Sequence, residues 1–235
     1  MHPGAAPPDA LHGAVHRRIR NRALAIGLSV MPFGVSFGAV SVASGLSVVQ
    51  TCLLSTVLFS GASQFALVSI LGAGGGLASA LATALLLGVR NGLYATRVAE
   101  LVRPHGWRRA VAAEVTIDES TAMALAEDES GHAKRAFWTT AASVYVLWNL
   151  STLVGALAGS GLGSPAAAGL DAAGPAAFTA LLAPRLRAPE MRVVAIVAAA
   201  AALATVPLLP VGSSVLVGGG VAAAGMALRS RRATA

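Results

Sequence analysis

The sequence predicts an all-α, polytopic bundle of transmembrane helices, and three observations predict it. Hydrophobic residues make up 55% of the 235 and charged residues only 11%, with a mean hydropathy of +0.71. A soluble domain carries roughly 25% charged residues because its surface has to be hydrated. The apolar residues fall in runs of roughly 20, the length that crosses a bilayer as a helix. The basic residues flank those runs: Arg17, Arg18, Arg20 and Arg22 precede the first, Arg185, Arg187 and Arg192 separate two late ones, and Arg229, Arg231 and Arg232 close the chain. That is the positive-inside pattern of membrane topology. The net charge of +7 and pI near 11.2 therefore do not point to a nucleic-acid partner.

Taken in order, residues 1–22 are rich in Pro, His and Arg and read as a disordered, basic cytoplasmic tail. A first span at about 23–43 is interrupted at Met31-Pro32-Phe33-Gly34, where the missing proline N–H predicts a kink or break. A second span covers about 48–71, and a glycine tract from Gly72 to Gly76 separates it from a third at about 77–96. Residues 97–110 form a basic loop with Arg97, Arg103, Arg108 and Arg109. A helix at about 110–126 then carries Glu114, Asp118 and Glu119, each costing about 2.5–3.5 kcal/mol to insert centrally, so alone it does not insert. Four further spans, at about 136–158, 166–183, 191–207 and 211–228, are separated by an intervening segment and by the pairs Pro184/Pro189 and Pro207/Pro210. Residues 23–228 form one transmembrane transport domain, and 229–235 a basic C-terminal tail.

Simple spans cannot satisfy the charge rule everywhere. If the 110–126 helix crosses, the arginine loop lies on the side opposite both tails; if it does not, one tail is misplaced. The expectation is about seven spans, within a range of six to eight, with at least one broken or re-entrant segment at Pro32 or in the Ser60–Gln64 tract. Gly34/Gly38 and Gly155/Gly159 have the small-xxx-small spacing that lets helices pack closely. Cys52 stands alone, and the five histidines lie outside the apolar runs without metal-pair spacing. No nucleophile elbow, phosphate loop or dinucleotide fingerprint appears, so neither enzyme activity nor a cofactor or metal is expected.

Polar residues at membrane depth need a reason. Pro32, Phe33, Gly34, Phe37 and Gly38 offer either a broken helix that turns backbone groups toward a substrate or a kinked packing helix. Ser60, Gly61, Ser63 and Gln64 are the most polar point of the second span, suited to binding a zwitterion or to tying helices together. Arg90 and Asn91 follow in the third, where a guanidinium captures a carboxylate bidentately, pairs with an acid, or snorkels to the interface. Asp118, Glu119 and Asp171 are carboxylates that, when buried, take up and release protons, or that form a structural ion pair with Arg90.

Several stretches carry a family signature. PFGVSFGAVSVASGLSVVQTCLLSTVLFSGASQFALVSIL, from Pro32, is followed by RNGLYATRVA, TIDESTAMAL, YVLWNLSTLVG and GLDAAGPAAFTALLAPRL. In this order they resemble the AzlC family, the large subunits of branched-chain amino acid exporters. Gly88 and Asn91 depart from the asparagine and histidine that usually flank the arginine corresponding to Arg90. The resemblance implies a secondary transporter in a bacterial-type cytoplasmic membrane, paired with a small membrane subunit of the AzlD type. It also implies proton-driven export of leucine, isoleucine, valine or similar neutral amino acids. Their apolar side chains suit a pocket lined by Phe33, Phe37, Phe65 and Phe178. Another small amphipathic cargo, or a non-transporting assembly subunit, are the alternatives.

Overall fold

The computed structural model describes residues 8–161, 179, 182–183 and 185–233, and among them every regular element is helical. Three helices are long: α1 (Pro8–Ala43), α4 (Leu77–Val102) and α7 (Ser130–Gly161). At 1.5 Å per residue each exceeds the roughly 30 Å of a bilayer's hydrocarbon core. Each contains a segment apolar enough to cross, at His12–Ala43, Leu77–Val102 and Gly131–Gly161, yet only 17–39% of the most apolar stretch is buried within the protein. What faces outward is a row such as Leu81, Leu85, Val89 and Leu93, spaced four apart along α4. Such a face belongs in lipid, not water.

Helices α1 and α7 run parallel and form the spine. Going up α1, Gly27 meets Ser143, Gly34 meets Ser151, Gly38 meets the Thr152 carbonyl and Ala39 meets Gly159. A Cβ at Gly38 would fall on that carbonyl, and one at Gly155 on the Val35 carbonyl, so backbones touch where only hydrogen fits. Both glycine pairs thus serve the α1–α7 seam. The same seam corrects the expectation at Pro32, because α1 is unbroken from Pro8 to Ala43. Packing on both sides of the proline holds it in one helix, as membrane helices tolerate. The expected disordered tail is likewise helical from Pro8. Ile19 and Ala23 are fully buried, Ile19 against Met123 and Ala136, which gives that stretch a packed face.

Between α1 and α7 the chain makes two re-entrant hairpins from opposite ends. The first is α2 (Val48–Val57) and α3 (Gly61–Gly72). α2 starts behind a capping box of Ser47 and Gln50, and its Thr51 hydroxyl donates to Ser41 Oγ (3.0 Å) near the C-terminal end of α1. Lower down, Tyr145 of α7 donates to the Thr56 carbonyl at 3.3 Å. The chain turns at Leu58–Ser60, and α3 climbs back past Trp148 and Phe37 until Gly72 rests on Ser44. Entry and exit are at the same end. The expected span at 48–71 is therefore two half-helices, since Gln64 satisfies the carbonyls that an interrupted helix exposes.

The second hairpin is α5 (Arg108–Glu114) and α6 (Asp118–Leu125), turning at Val115–Ile117. It replaces the single helix expected at 110–126. α5 rises until Glu114 reaches the tip of the first hairpin, and α6 descends until Met123 packs on Ile19 and Glu127 pairs with Arg18 at 2.6 Å.

Two more helices, α8 (Pro189–Thr205) and α9 (Ser213–Ala233), pack antiparallel, Gly218 against Ala198 and Ala202 and Gly225 against Val194. α9 starts where Gly212 meets Ile70 and passes Leu86 of α4 at Gly219, so it runs with α4. In consequence the starts of α1, α5, α7 and α8 and the ends of α4 and α9 share one end of the bundle. All the basic clusters collect there, from Arg17–Arg22 and Arg97–Arg109 to the last turns of α9. Each hairpin enters and leaves the bundle at one and the same end. Asp171, Phe178 and most of the expected span at 166–183 lie outside the described residues.

Candidate functional site

The two hairpin tips meet halfway along the spine, and a cavity of about 130 Å³ lies between them. A single water needs only ~10–15 Å³ on this measure, so the space suits a small solute. Each tip is braced by a polar side chain in the first turn of its returning half-helix. In the first, Gln64 is fully buried; its Nε2 donates to the carbonyls of Leu58 (2.7 Å) and Ser55 (3.2 Å), and its Oε1 accepts the Trp148 indole N–H at 3.0 Å. In the second, Ser120 Oγ donates to the Val115 carbonyl (2.7 Å) and accepts the Ile117 N–H (3.1 Å). Glu114 Oε1 joins the tips by accepting the Phe59 N–H at 3.1 Å.

Polar groups gather on one part of the cavity wall. Arg90 of α4 pairs with Asp118 at the start of α6, Nη1 to Oδ2 2.7 Å, each side chain about a third exposed. Beside them lie Glu119 and, at the start of α3, Ser60 and Gly61. The N–H groups of the first α3 turn have no acceptor within their own helix, and no side chain caps them. Ser60 Oγ, Arg90 Nε and Asp118 Oδ1 are buried without a hydrogen-bond partner. The three residues that carry these atoms line one cavity. The rest of the wall is apolar, from Val30, Phe33, Phe59, Phe65, Val144 and Trp148.

Seven residues singled out in the sequence therefore line the cavity: Phe33, Ser60, Gly61, Phe65, Arg90, Asp118 and Glu119. The others are used elsewhere. Phe37 is fully buried, stacks on Trp148 (6.4 Å) and meets Phe65 edge-to-face (5.7 Å); Gly34 and Gly38 pack on α7. Pro32 is exposed on α1, and its carbonyl accepts the Ser36 hydroxyl at 2.9 Å. Gln64 spends its hydrogen bonds as a brace, and Ser63 donates to the Ala84 carbonyl at 2.8 Å. Asn91 faces a second, more open space of about 360 Å³ on the other side of Phe59 and Ser60, shared with Ser63, Gly88 and Glu114. Sequence reasoning passed over Ser120 and Trp148, and weighed Glu114 only as a charge that is costly to insert. For Trp148 a signal existed, because an indole N–H amid an apolar run needs a partner.

Long apolar helices, two opposed helical hairpins and a cavity at their meeting point with polar groups on one part of its wall define a multi-pass membrane protein with a solute-sized site. The model of the AzlC protein family matches residues 25–162, more than half of the chain, and the chain belongs to that family. It is similar to inner membrane protein YgaZ of Escherichia coli (strain K12), 31% identical over 207 residues that span 83% of this chain and 82% of that protein. It is also similar to an uncharacterized membrane protein of Helicobacter pylori (strain ATCC 700392 / 26695), 26% identical over 139 residues, 58% of this chain and 61% of that one. No solved structure matches the chain.

Proposed function

We propose that this protein is a secondary transporter of neutral, apolar amino acids, and that the cavity between the hairpin tips is its substrate site. One observation carries the reading: Arg90 and Asp118 form an ion pair in the cavity wall, with unpartnered polar atoms on both members and on Ser60. A zwitterion inserts into such a pair without changing the net charge of a site that lipid surrounds. Its carboxylate takes Arg90 Nε, the Ser60 hydroxyl and the first N–H groups of α3, whose helix end favours a negative charge. Its ammonium takes Asp118 Oδ1, with Glu119 beside it. A branched aliphatic side chain fills the apolar wall between Phe33, Phe65 and Trp148. Discontinuous helices meeting at mid-depth are how many secondary transporters bind and release a solute.

The rest of the reading extends from there. The end that gathers the basic clusters faces the cytoplasm of a bacterial-type inner membrane, which α1, α4, α7, α8 and α9 cross while the hairpins do not. Asp118 and Glu119 couple movement to protons, transport runs outward, and a small membrane subunit of the AzlD type works beside the chain. Competition tests the site. Leucine displaces a bound labelled leucine, whereas leucinamide and 4-methyl-2-oxopentanoate, each lacking one charge, do not. Equal displacement by all three removes the zwitterion reading.

A further inference from the structure

Glu114 is an exposed carboxylate at mid-depth on the outside of the bundle. It ends α5, a half-helix in which only Ala112 is buried. Beside it an open groove of about 360 Å³ runs between α5, α4 and the tip of the first hairpin. Exposed Val57, Leu85 and Val89 give this groove the character of the lipid-facing row, while Ala84, Gly88 and Ala113 keep its floor low. Two of the lining residues carry spare acceptors. Glu114 receives the Phe59 N–H through Oε1, and among the described residues nothing pairs with its other oxygen. Asn91 Oδ1 is buried without a hydrogen-bond partner.

A lipid tail covers the apolar side chains but offers no donor, so beside lipid a carboxylate and an amide stay costly. This chain has no cation to spare for them. Among the described residues Arg90 is the one lysine or arginine at that depth, and Asp118 holds it; the rest gather at the basic end. A second copy of the chain lacks a free cation for the same reason.

We propose that the groove seats a transmembrane helix of a different chain, with a lysine or arginine at mid-depth paired to Glu114. The low floor admits a helix backbone closely, as small residues do at helix contacts in membranes. Leu85 and Val89 then pack on the incoming helix, and the ion pair leaves the contact neutral in lipid. Through Glu114 and Phe59 the second chain is joined to the residue next to Ser60 in the cavity wall. The inference rests on the proposed function for the partner it probes, the small membrane subunit, and not for the substrate.

The test places the photoreactive residue benzoylphenylalanine at Leu85, at Val89 or, outside the groove, at Leu28, which is also exposed. The cells also make an epitope-tagged small subunit, and both chains are first detected in the membrane. Irradiation is expected to join the subunit to the chain at Leu85 and Val89 and not at Leu28. Glu114→Gln keeps an acceptor for the Phe59 N–H but removes the charge, and should lower the yield at both groove positions at least tenfold. Gly88→Leu fills the floor, leaves every polar group in place and should do the same. No joined subunit, adducts to lipid, to another copy or within the chain alone, equal yield at Leu28, or an unchanged yield in either variant each overturns the docking surface. Absent amino-acid transport with the expected pattern intact would instead count against the substrate reading alone.

Discussion

Arg90 of α4 and Asp118 of α6 lie 2.7 Å apart across the cavity wall, although 28 residues of chain separate them. Their meeting depends on the second hairpin entering from the basic end and stopping at mid-depth, level with Arg90. An ion pair in lipid surroundings is costly to hold. Its position at a cavity, with an unused atom on each partner, is what sets it apart from a structural pair.

Asp118→Asn is therefore expected to lower apparent affinity for a neutral amino acid at least ~30-fold, the ~2 kcal/mol lower bound for truncating one member of a hydrogen-bonded charge pair. Protein levels in the membrane should stay near wild type. Exchanging the charges, Arg90→Asp with Asp118→Arg, keeps neutrality but should not restore transport, because the carboxylate site would then oppose the α3 N-terminus. Uptake or efflux assays on purified variants check both.

Trp148→Phe removes the donor to Gln64 and leaves a buried carbonyl oxygen unpaired. It should destabilise the protein by about 1–3 kcal/mol, and Gln64→Leu should do at least as much by stripping the Ser55 and Leu58 carbonyls of their partner. Thermal denaturation in detergent, followed by intrinsic fluorescence or aggregation, measures the loss.

Gly38→Leu should prevent the spine from closing, at more than about 3 kcal/mol, because backbone rather than a flexible side chain must yield. Gly92→Ala, on α4, meets nothing within 4 Å and should be neutral or slightly stabilising through helix propensity. Expression and melting temperature of the two variants compare a packing glycine with a free one.

The hairpins make a topological prediction. Cysteines placed at Ser44 and Gly74 should label from one face of the membrane, and cysteines at His105 and Asp128 from the opposite face. A span at 48–71 would instead put Ser44 and Gly74 on opposite faces, and side-specific labelling distinguishes the two.

The membrane class, the long helices and the small-residue pairs were legible in the sequence because composition and apolar run length depend on lipid alone. So was the conflict in the charge rule, from which at least one broken or re-entrant segment was expected. Which segment re-enters was harder to read. Residues 48–71 are apolar enough to span, but the Ser60–Gln64 tract, one of the two places where a break was expected, does fall at the turn between α2 and α3. Pro32 looked like the natural break and is not one, since tertiary packing along the α1–α7 seam outweighs a lost helix bond. In the site, charge was the readable signal: Arg90, Asp118, Glu119 and Ser60 stand out against an apolar background. Gln64 was ambiguous for one reason. A polar side chain that braces a hairpin and one that grips a solute look alike until their partners are known.

The most direct test is the loss of labelled leucine from cells preloaded with a leucine dipeptide, with and without this protein and a small partner subunit. The account predicts faster loss that a protonophore abolishes and that Asp118→Asn removes while the protein remains in the membrane. Unchanged loss with both subunits present in the membrane would contradict the proposed transport of neutral amino acids.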